Sequence, residues 1–326
     1  MAGTIHWAFP ADMQPKPEET DFDLDAVLDA VVLLHAEIPD DAFTAAILGT
    51  ERAGYGVVIR DDGLVLTIGY VITEASSIWM TTNRGTVVPG HPLAYDQVTG
   101  LGLVLPLGRL DAPALERGSA ATAAQGDEVI VVGHGGRGHA LKANIVAKRE
   151  FAGYWEYLLD EALFTAPPHP QWAGAALIDS EGRLIGVGSL LVQDRESLGG
   201  EADQGNMFVP IDLLEPILED LLKLGRPAGP PRPWLGLYVG EAQGQLVVSG
   251  VAEGGPAARA GVRAGDVVVA LAGQRVSGAA DLYRRLWRLG PAGVAVALTL
   301  SRKGDPVHVQ AASIDRNDLL KKPSLQ

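Results

Sequence analysis

Cysteine is absent from the 326 residues. That one absence excludes disulfides, thiolate metal sites, iron–sulfur clusters and a cysteine nucleophile. Aromatic residues are sparse at 6%, and no segment approaches the roughly 20 apolar residues that a membrane-spanning helix needs. Positive charge is scarce as well. Lys+Arg 26 against Asp+Glu 40 gives a formal net charge of -14, a field that repels phosphate backbones and anionic headgroups, so nucleic acid is not expected as a main partner. The opening residues lack the basic and apolar regions of a secretory signal, and a cytoplasmic location is the expectation. What is present is an ordinary globular composition, 47% hydrophobic and 20% charged, in a chain long enough for two or three domains.

Leu24, Val27, Leu28, Val31 and Leu34 recur at helical spacing, which predicts one amphipathic helix, capped by Asp21 or Asp23 and ended near Pro39. From Ala53 to Val192 the pattern changes to short β-branched runs punctuated by glycine and aspartate, as in a β-barrel or sandwich. Residues 194–206 are polar and glycine-rich and read as a surface loop. Residues 211–224 carry leucines at helical spacing, with Gly225 placed for a C-cap. The proline-rich stretch 226–233 marks the clearest boundary, and 234–312 has the length of one small β-rich domain with a helix near 281–289. The division expected is therefore an N-terminal extension with the helix (1–50), a β-rich domain (51–225), a linker (226–233), a second domain (234–314) and a tail (315–326).

Three blocks carry a resemblance. Residues 54–72 (GYGVVIRDDGLVLTIGYVI) are similar to the stretch G-x-G-V-I-I-x-x-x-G-y-I-l-T-x-x-H-V-V of HtrA/DegP-type serine proteases. Residues 95–104 (YDQVTGLGLV) resemble that family's D-x-x-T-D-L-A-L-L, and residues 170–187 resemble P-G-N-S-G-G-P-L-x-N-x-x-G-x-v-I-G-I. The resemblance implies a mainly β protein: a trypsin-like double β-barrel with an N-terminal helical extension, followed by a PDZ domain. It also implies where a catalytic triad would sit. In ungapped register the base falls on Tyr70, the orienting aspartate on Gly100 and the nucleophilic serine on Ala173. The glycine whose N–H serves the oxyanion hole falls on Gln171, followed by Trp172. With no hydroxyl, imidazole or carboxylate at these places, acyl transfer by this route is not expected, and the chain reads as a pseudoprotease whose cleft is plugged by Tyr70 and Trp172. His169 and Ser180 are the nearest substitutes, and Ser180 reads better as a solvated turn residue.

The most specific block is residues 251–276, which resemble the PDZ pattern V-x-x-g-S-P-A-A-x-A-G-L-x-x-G-D-V-I. Ahead of it, Trp234, Leu235, Gly236 and Leu237 resemble the W-L-G-V carboxylate-binding loop. Such a loop converges backbone N–H groups on a terminal carboxylate, and the strand after it can take an extended peptide by β-augmentation. The expectation is that these donors have no strand partner of their own, and that Leu282 and Leu286 line the side-chain pocket or belong to the core. His134 and His139 on a glycine-rich loop are a weak metal candidate, two ligands without a third; otherwise no cofactor is expected.

The reading is a non-catalytic scaffold or adaptor that binds protein C-termini or extended peptides. Its alternatives are a regulatory subunit that assembles with an active HtrA-like paralogue, and a metal-binding structural protein. A homotrimer, with the apolar helix stripe at its interface, is the assembly the resemblance implies.

Overall fold

In a computed structural model, the protein is described over residues 7–193, 196, 198–200 and 202–322. The chain divides into two compact units, one of residues Met1–Arg149, Glu161–Ala228 and Lys321–Gln326, the other of Glu150–Asp160 and Gly229–Leu320.

The first unit holds two closed antiparallel barrels. Strands β1 (Val31–Glu37), β2 (Glu51–Val58), β3 (Val65–Ile68), β4 (Ser77–Thr81), β5 (Val87–Tyr95) and β6 (Leu101–Pro106) close in the order β1-β2-β3-β6-β5-β4. Strands β7 (Glu128–Val132), β8 (Ala140–Gly153), β9 (Tyr157–Ala166), β10 (Ala176–Ile178), β11 (Leu184–Val192) and β12 (Gly205–Pro210) close in the order β10-β11-β12-β9-β8-β7. Closure leaves no sheet edge to protect and turns alternate side chains inward. The helix Glu215–Leu224 ends on Gly225 at a φ of +71°, the left-handed cap its position in the sequence announces.

The N-terminal helix is shorter than its periodicity suggests. Asp23 does cap it, accepting from the Ala26 N–H at 3.1 Å, but it runs only Leu24–Asp29. Val31 to Leu34 continue as β1, paired with β2 (Val31↔Val57) and with β4 (Leu33↔Thr81). A run of two valines and two leucines suits a strand buried on both faces as well as it suits a helix, and the two waiting partners decide the matter. Leu24, Val27, Leu28 and Val31 are all buried within the chain, so the stripe proposed for a trimer interface is already covered. Part of the expected loop, residues 194, 195, 197 and 201, lies outside the described residues.

In the second unit, β13 (Leu237–Ala242), β14 (Gln245–Val251), β15 (Val267–Leu271), β17 (Ala295–Arg302) and β18 (Asp305–Ala312) form a sheet in the order β13-β14-β15-β17-β18, with β16 (Gln274–Arg275) paired to β15. The helix Ala279–Arg288 buries Leu282, Tyr283 and Leu286. The tip of the long β8–β9 hairpin counts with this unit, a membership that no local pattern in the sequence signals.

A buried polar network fixes the turn after β3. Arg52 donates from Nη1 to the carbonyls of Tyr70 (2.8 Å) and Thr73 (3.0 Å), and from Nη2 to Thr44 Oγ1 (2.8 Å). Glu74 accepts from the N–H groups of Phe43 (3.0 Å), Thr44 (2.7 Å) and Lys321 (2.9 Å) and from the Thr44 hydroxyl (2.6 Å). Burial works against the Glu74 charge, and these donors outweigh it, holding its carboxyl below the usual range. Replacing Arg52 strips two buried carbonyls and leaves Glu74 without its nearby cation. Arg52→Ala should therefore cost about 3 kcal/mol or more in urea denaturation, against less than about 0.5 kcal/mol for an exposed arginine such as Arg109 replaced by alanine.

Candidate functional site

The three positions of the expected triad do come together between the barrels. Tyr70 lies on the turn Gly69–Val71 that follows β3. The Gly69 N–H donates to the Gly100 carbonyl at 2.7 Å, which fixes Gly100 beside that turn. The Tyr55 N–H donates to the Ala173 carbonyl at 2.7 Å, and Ala173 and Val71 both press against Gly54.

The chemistry at these positions is that of a closed cleft. The Tyr70 hydroxyl donates to the Ser189 carbonyl on β11 at 2.8 Å, spanning from the first barrel to the second. Burial pushes the Tyr70 pKa well up, against a hydrogen bond from the Trp172 side chain, so the phenol stays neutral. Gly100 has a φ of +81°, a left-handed conformation that glycine adopts freely and aspartate at some cost. The ring of Tyr95 occupies the space against Gly69. Ala173 supplies no nucleophilic oxygen.

The donor expected of an oxyanion hole is also engaged. The Gln171 N–H donates to His169 Nδ1 at 3.1 Å. Because Nδ1 accepts, the ring proton sits on Nε2, which lies 3.1 Å from the His139 carbonyl and donates to it. Burial lowers the His169 pKa to about 4, so the ring is neutral and both of its nitrogens are committed. It is not a spare base. Trp7 and Phe9 pack edge-on against the same imidazole at ring separations of 5.8 and 5.1 Å, and Tyr55 OH bonds Gln171 Oε1. Proximity to Ala173 singles out His169 in the sequence, but nothing in composition or spacing signals that Trp7 and Phe9 pack on it. Ser180 is exposed on the turn between β10 and β11, where Asp179 caps the neighbouring N–H groups. His134 and His139 belong to no group of three or more metal-ligating side chains among the described residues, and Trp7 packs on His139 at 4.4 Å.

The second site is the loop 234–237. Its N–H groups have an acceptor inside the same unit: the carboxylate of Glu156, at the tip of the β8–β9 hairpin. Leu235 N–H lies 3.2 and 3.1 Å from the two carboxylate oxygens, and Leu237 N–H donates to Oε1 at 2.7 Å. Gly236, at a φ of +78°, turns the loop inward, and a Cβ there would fall 2.9 Å from Ala252 and from the Trp234 ring. Two residues beyond Leu237 along β13, Val239 N–H donates to the Tyr154 carbonyl at 2.9 Å. Leu282 and Leu286 are fully buried in a core cluster that includes Leu235, Leu237 and, from the hairpin, Leu158. Trp234 is buried too, its backbone bridged to Ile314 and its ring beneath the Arg316 guanidinium.

Comparison with known proteins places this geometry. A family model described as a trypsin-like peptidase domain matches residues 54–187, and a PDZ domain model matches residues 247–302. The chain is similar to Protease Do-like 1, chloroplastic, of Arabidopsis thaliana, at 27% identity over 285 residues, covering 78% of this chain and 62% of that protein. It is similar to a probable periplasmic serine endoprotease DegP-like of Brucella suis, at 26% over 272 residues, covering 77% of this chain and 50% of that one. The chain thus spans about half to three-fifths of the length of these curated relatives. Among solved structures, the serine endoprotease from Yersinia pestis shares the fold with a TM-score of 0.53 at 21% identity, over 91% of this chain and 99% of that one. An HtrA-type protease, AlgW, solved with a tripeptide, does so with a TM-score of 0.50 at 21% identity, over 92% and 97%.

Burial of Glu156 has a measurable consequence. Desolvation raises its pKa from 4.5 to about 7, against the pull of the Leu237, Leu235 and Gly236 N–H groups and of Arg316. The folded chain then holds a proton that the unfolded chain releases. The stability this group contributes is fully present below pH 4.5 and is lost as pH rises through about 7. His169 tilts the other way, costing stability as pH falls from 6.5 towards 4. The readout is therefore the difference between the native chain and Glu156→Gln, which carries no charge at any pH. That difference should shift by on the order of 3 kcal/mol between pH 4.5 and 8 in denaturant titrations, with the native chain losing ground as pH rises.

Proposed function

The chain carries the trypsin-like peptidase domain and PDZ domain of the HtrA/DegP-type family, and on that premise we propose that it is a catalytically inert member that works by binding peptide or protein ends through its PDZ domain. The observation that carries this reading is the state of the cleft. Alanine stands at the nucleophile position, the Tyr70 hydroxyl is bonded to the Ser189 carbonyl where a general base would act, and the Gln171 N–H is bonded to His169. A serine protease needs a nucleophile, a base within hydrogen-bond reach of it and an N–H pair aimed at the developing oxyanion. Each of the three needs is unmet by a different residue. The relatives are named as proteases, and what they do is not carried to a chain whose matching positions hold other chemistry.

Peptide binding is supported by the loop at Leu235, Gly236 and Leu237. Two of its N–H groups converge on a carboxylate, and the N–H of Val239, on the outer edge of β13, donates to a backbone carbonyl outside the sheet. This is how a terminal carboxylate and a β-augmenting peptide are recognised. The solved relative AlgW was crystallised with a tripeptide, and binding of an extended peptide here belongs to the same proposal.

Two outcomes are expected. Purified protein should neither cleave an unfolded substrate such as casein nor be labelled by a fluorophosphonate; labelling that Ser180→Ala abolishes would overturn inertness. The triple substitution Tyr70→His, Gly100→Asp and Ala173→Ser should also remain inactive in the same casein assay. Aspartate at position 100 meets a left-handed backbone, and the Gln171 donor stays on His169, a loss of the kind that costs on the order of 10²–10³ in rate.

A further inference from the structure

The tip of the β8–β9 hairpin offers the edge of β13 what an arriving chain end offers. A carboxylate sits at the loop, and two residues earlier in the chain a backbone carbonyl sits at the strand. The donors are the N–H groups of Leu235 and Leu237, on either side of the left-handed Gly236, and of Val239, two residues along β13 from Leu237, the spacing at which an edge strand points its N–H groups the same way. Leu158 adds the third component, an apolar side chain in the cluster of Leu235, Leu237, Leu282 and Leu286. Carboxylate, strand carbonyl and apolar anchor all come from residues 154–158.

The local sequence is odd in a way that fits. Residues 154–156 are the turn between β8 and β9, and the third residue of such a three-residue hairpin loop adopts a left-handed conformation for which glycine is the usual choice. Glu156 occupies it at a φ of +59°. A glutamate in that conformation is strained, and a carboxylate removed from water is costly, so this residue is a poor choice for making a turn and a good one for filling a site that binds carboxylates. The hairpin is held further by the Tyr283 hydroxyl, which donates to the Gly153 carbonyl at 2.8 Å in a buried bond, and by Arg284, which pairs with Glu150 and Asp160 at the two stems.

We propose that residues 150–160 are an internal ligand of the carboxylate loop, and that a free C-terminus with an apolar last residue is bound only by displacing the Glu156 carboxylate and the Leu158 side chain. The inference rests on the peptide-binding reading above and deepens it, because it names the competitor that every peptide must beat. It also sets what kind of peptide can do so. An internal carboxylate has the advantage of covalent attachment, so a successful ligand needs a free carboxylate, an apolar side chain and a run of backbone pairing along β13 longer than the single bond from Val239.

The test is fluorescence anisotropy on the full chain with labelled peptides that end in Leu or Val, each as the free acid and as the amide. Glu156→Ala should bind the free acids at least tenfold more tightly than the native chain and leave the amides unchanged. Tyr283→Phe, which loosens the hairpin without touching the loop, should shift affinity in the same direction by a smaller factor, and it carries the test should Glu156→Ala not fold. Equal free-acid affinity in the native chain and both variants would overturn the internal ligand and leave the peptide-binding reading standing. Absence of binding by every peptide to every variant would overturn the peptide-binding reading and, with it, displacement. Hydrogen exchange over residues 235–239 then judges the occupancy alone: protection in the native chain that is lost in Glu156→Ala supports it, and protection unchanged in the variant overturns it.

Discussion

A buried backbone N–H must be given an acceptor, and leaving one without costs as much as several good contacts supply. Both sites in this chain are organised by that demand. In a binding or catalytic site the acceptor is left for a ligand to provide. Here the chain provides its own: His169 Nδ1 takes the Gln171 N–H, and the Glu156 carboxylate takes those of Leu235 and Leu237. The acceptors come from different parts of the chain and have different chemistry. The imidazole is neutral, two residues away in sequence and buried deep enough to hold its pKa near 4. The carboxyl is about eighty residues from its donors and sits close to its midpoint at neutral pH.

The two closures differ in how readily each can be undone. At the cleft, several separate contacts hold the closure: the Tyr70 hydroxyl on the Ser189 carbonyl, the aromatic rings on His169, and the Arg52 bonds to the turn that carries Tyr70. At the loop, the acceptor is a single side chain on a hairpin tip whose charge is unwelcome where it lies. One closure belongs to the core, and the other is a balance between hydrogen bonding and desolvation that a competing carboxylate can enter.

Much of this architecture could be read from residues alone because it depends on short-range pattern. The β-branched runs give the barrels, Gly225 ends its helix as glycine at that place should, and the gap-free blocks around residues 70, 100 and 173 put those positions in one cleft. Where reading failed, the deciding interaction was distant. Val31 to Leu34 fit helix or strand equally, and only β2 and β4 choose. Glu156 is nearly silent in its own neighbourhood, since a glutamate in a turn looks like a solvated charge. Its one legible clue is the lack of a glycine where a tight hairpin wants one. His169 lies close enough to Ala173 in sequence to suggest a stand-in base, and its packing by Trp7 and Phe9 comes from a segment with no periodicity to announce it.

The bond from Val239 to the Tyr154 carbonyl has a further side that concerns solubility. β13 is the outermost strand of its sheet, and an outermost strand carries a row of unmet backbone groups that can template the addition of another chain. The hairpin tip takes up the Val239 N–H of that row, and the Tyr154 ring packs against Tyr238 of the same strand at 6.1 Å. The same contact that engages the loop thus also takes up one rung of the sheet margin on which another chain's strand could pair.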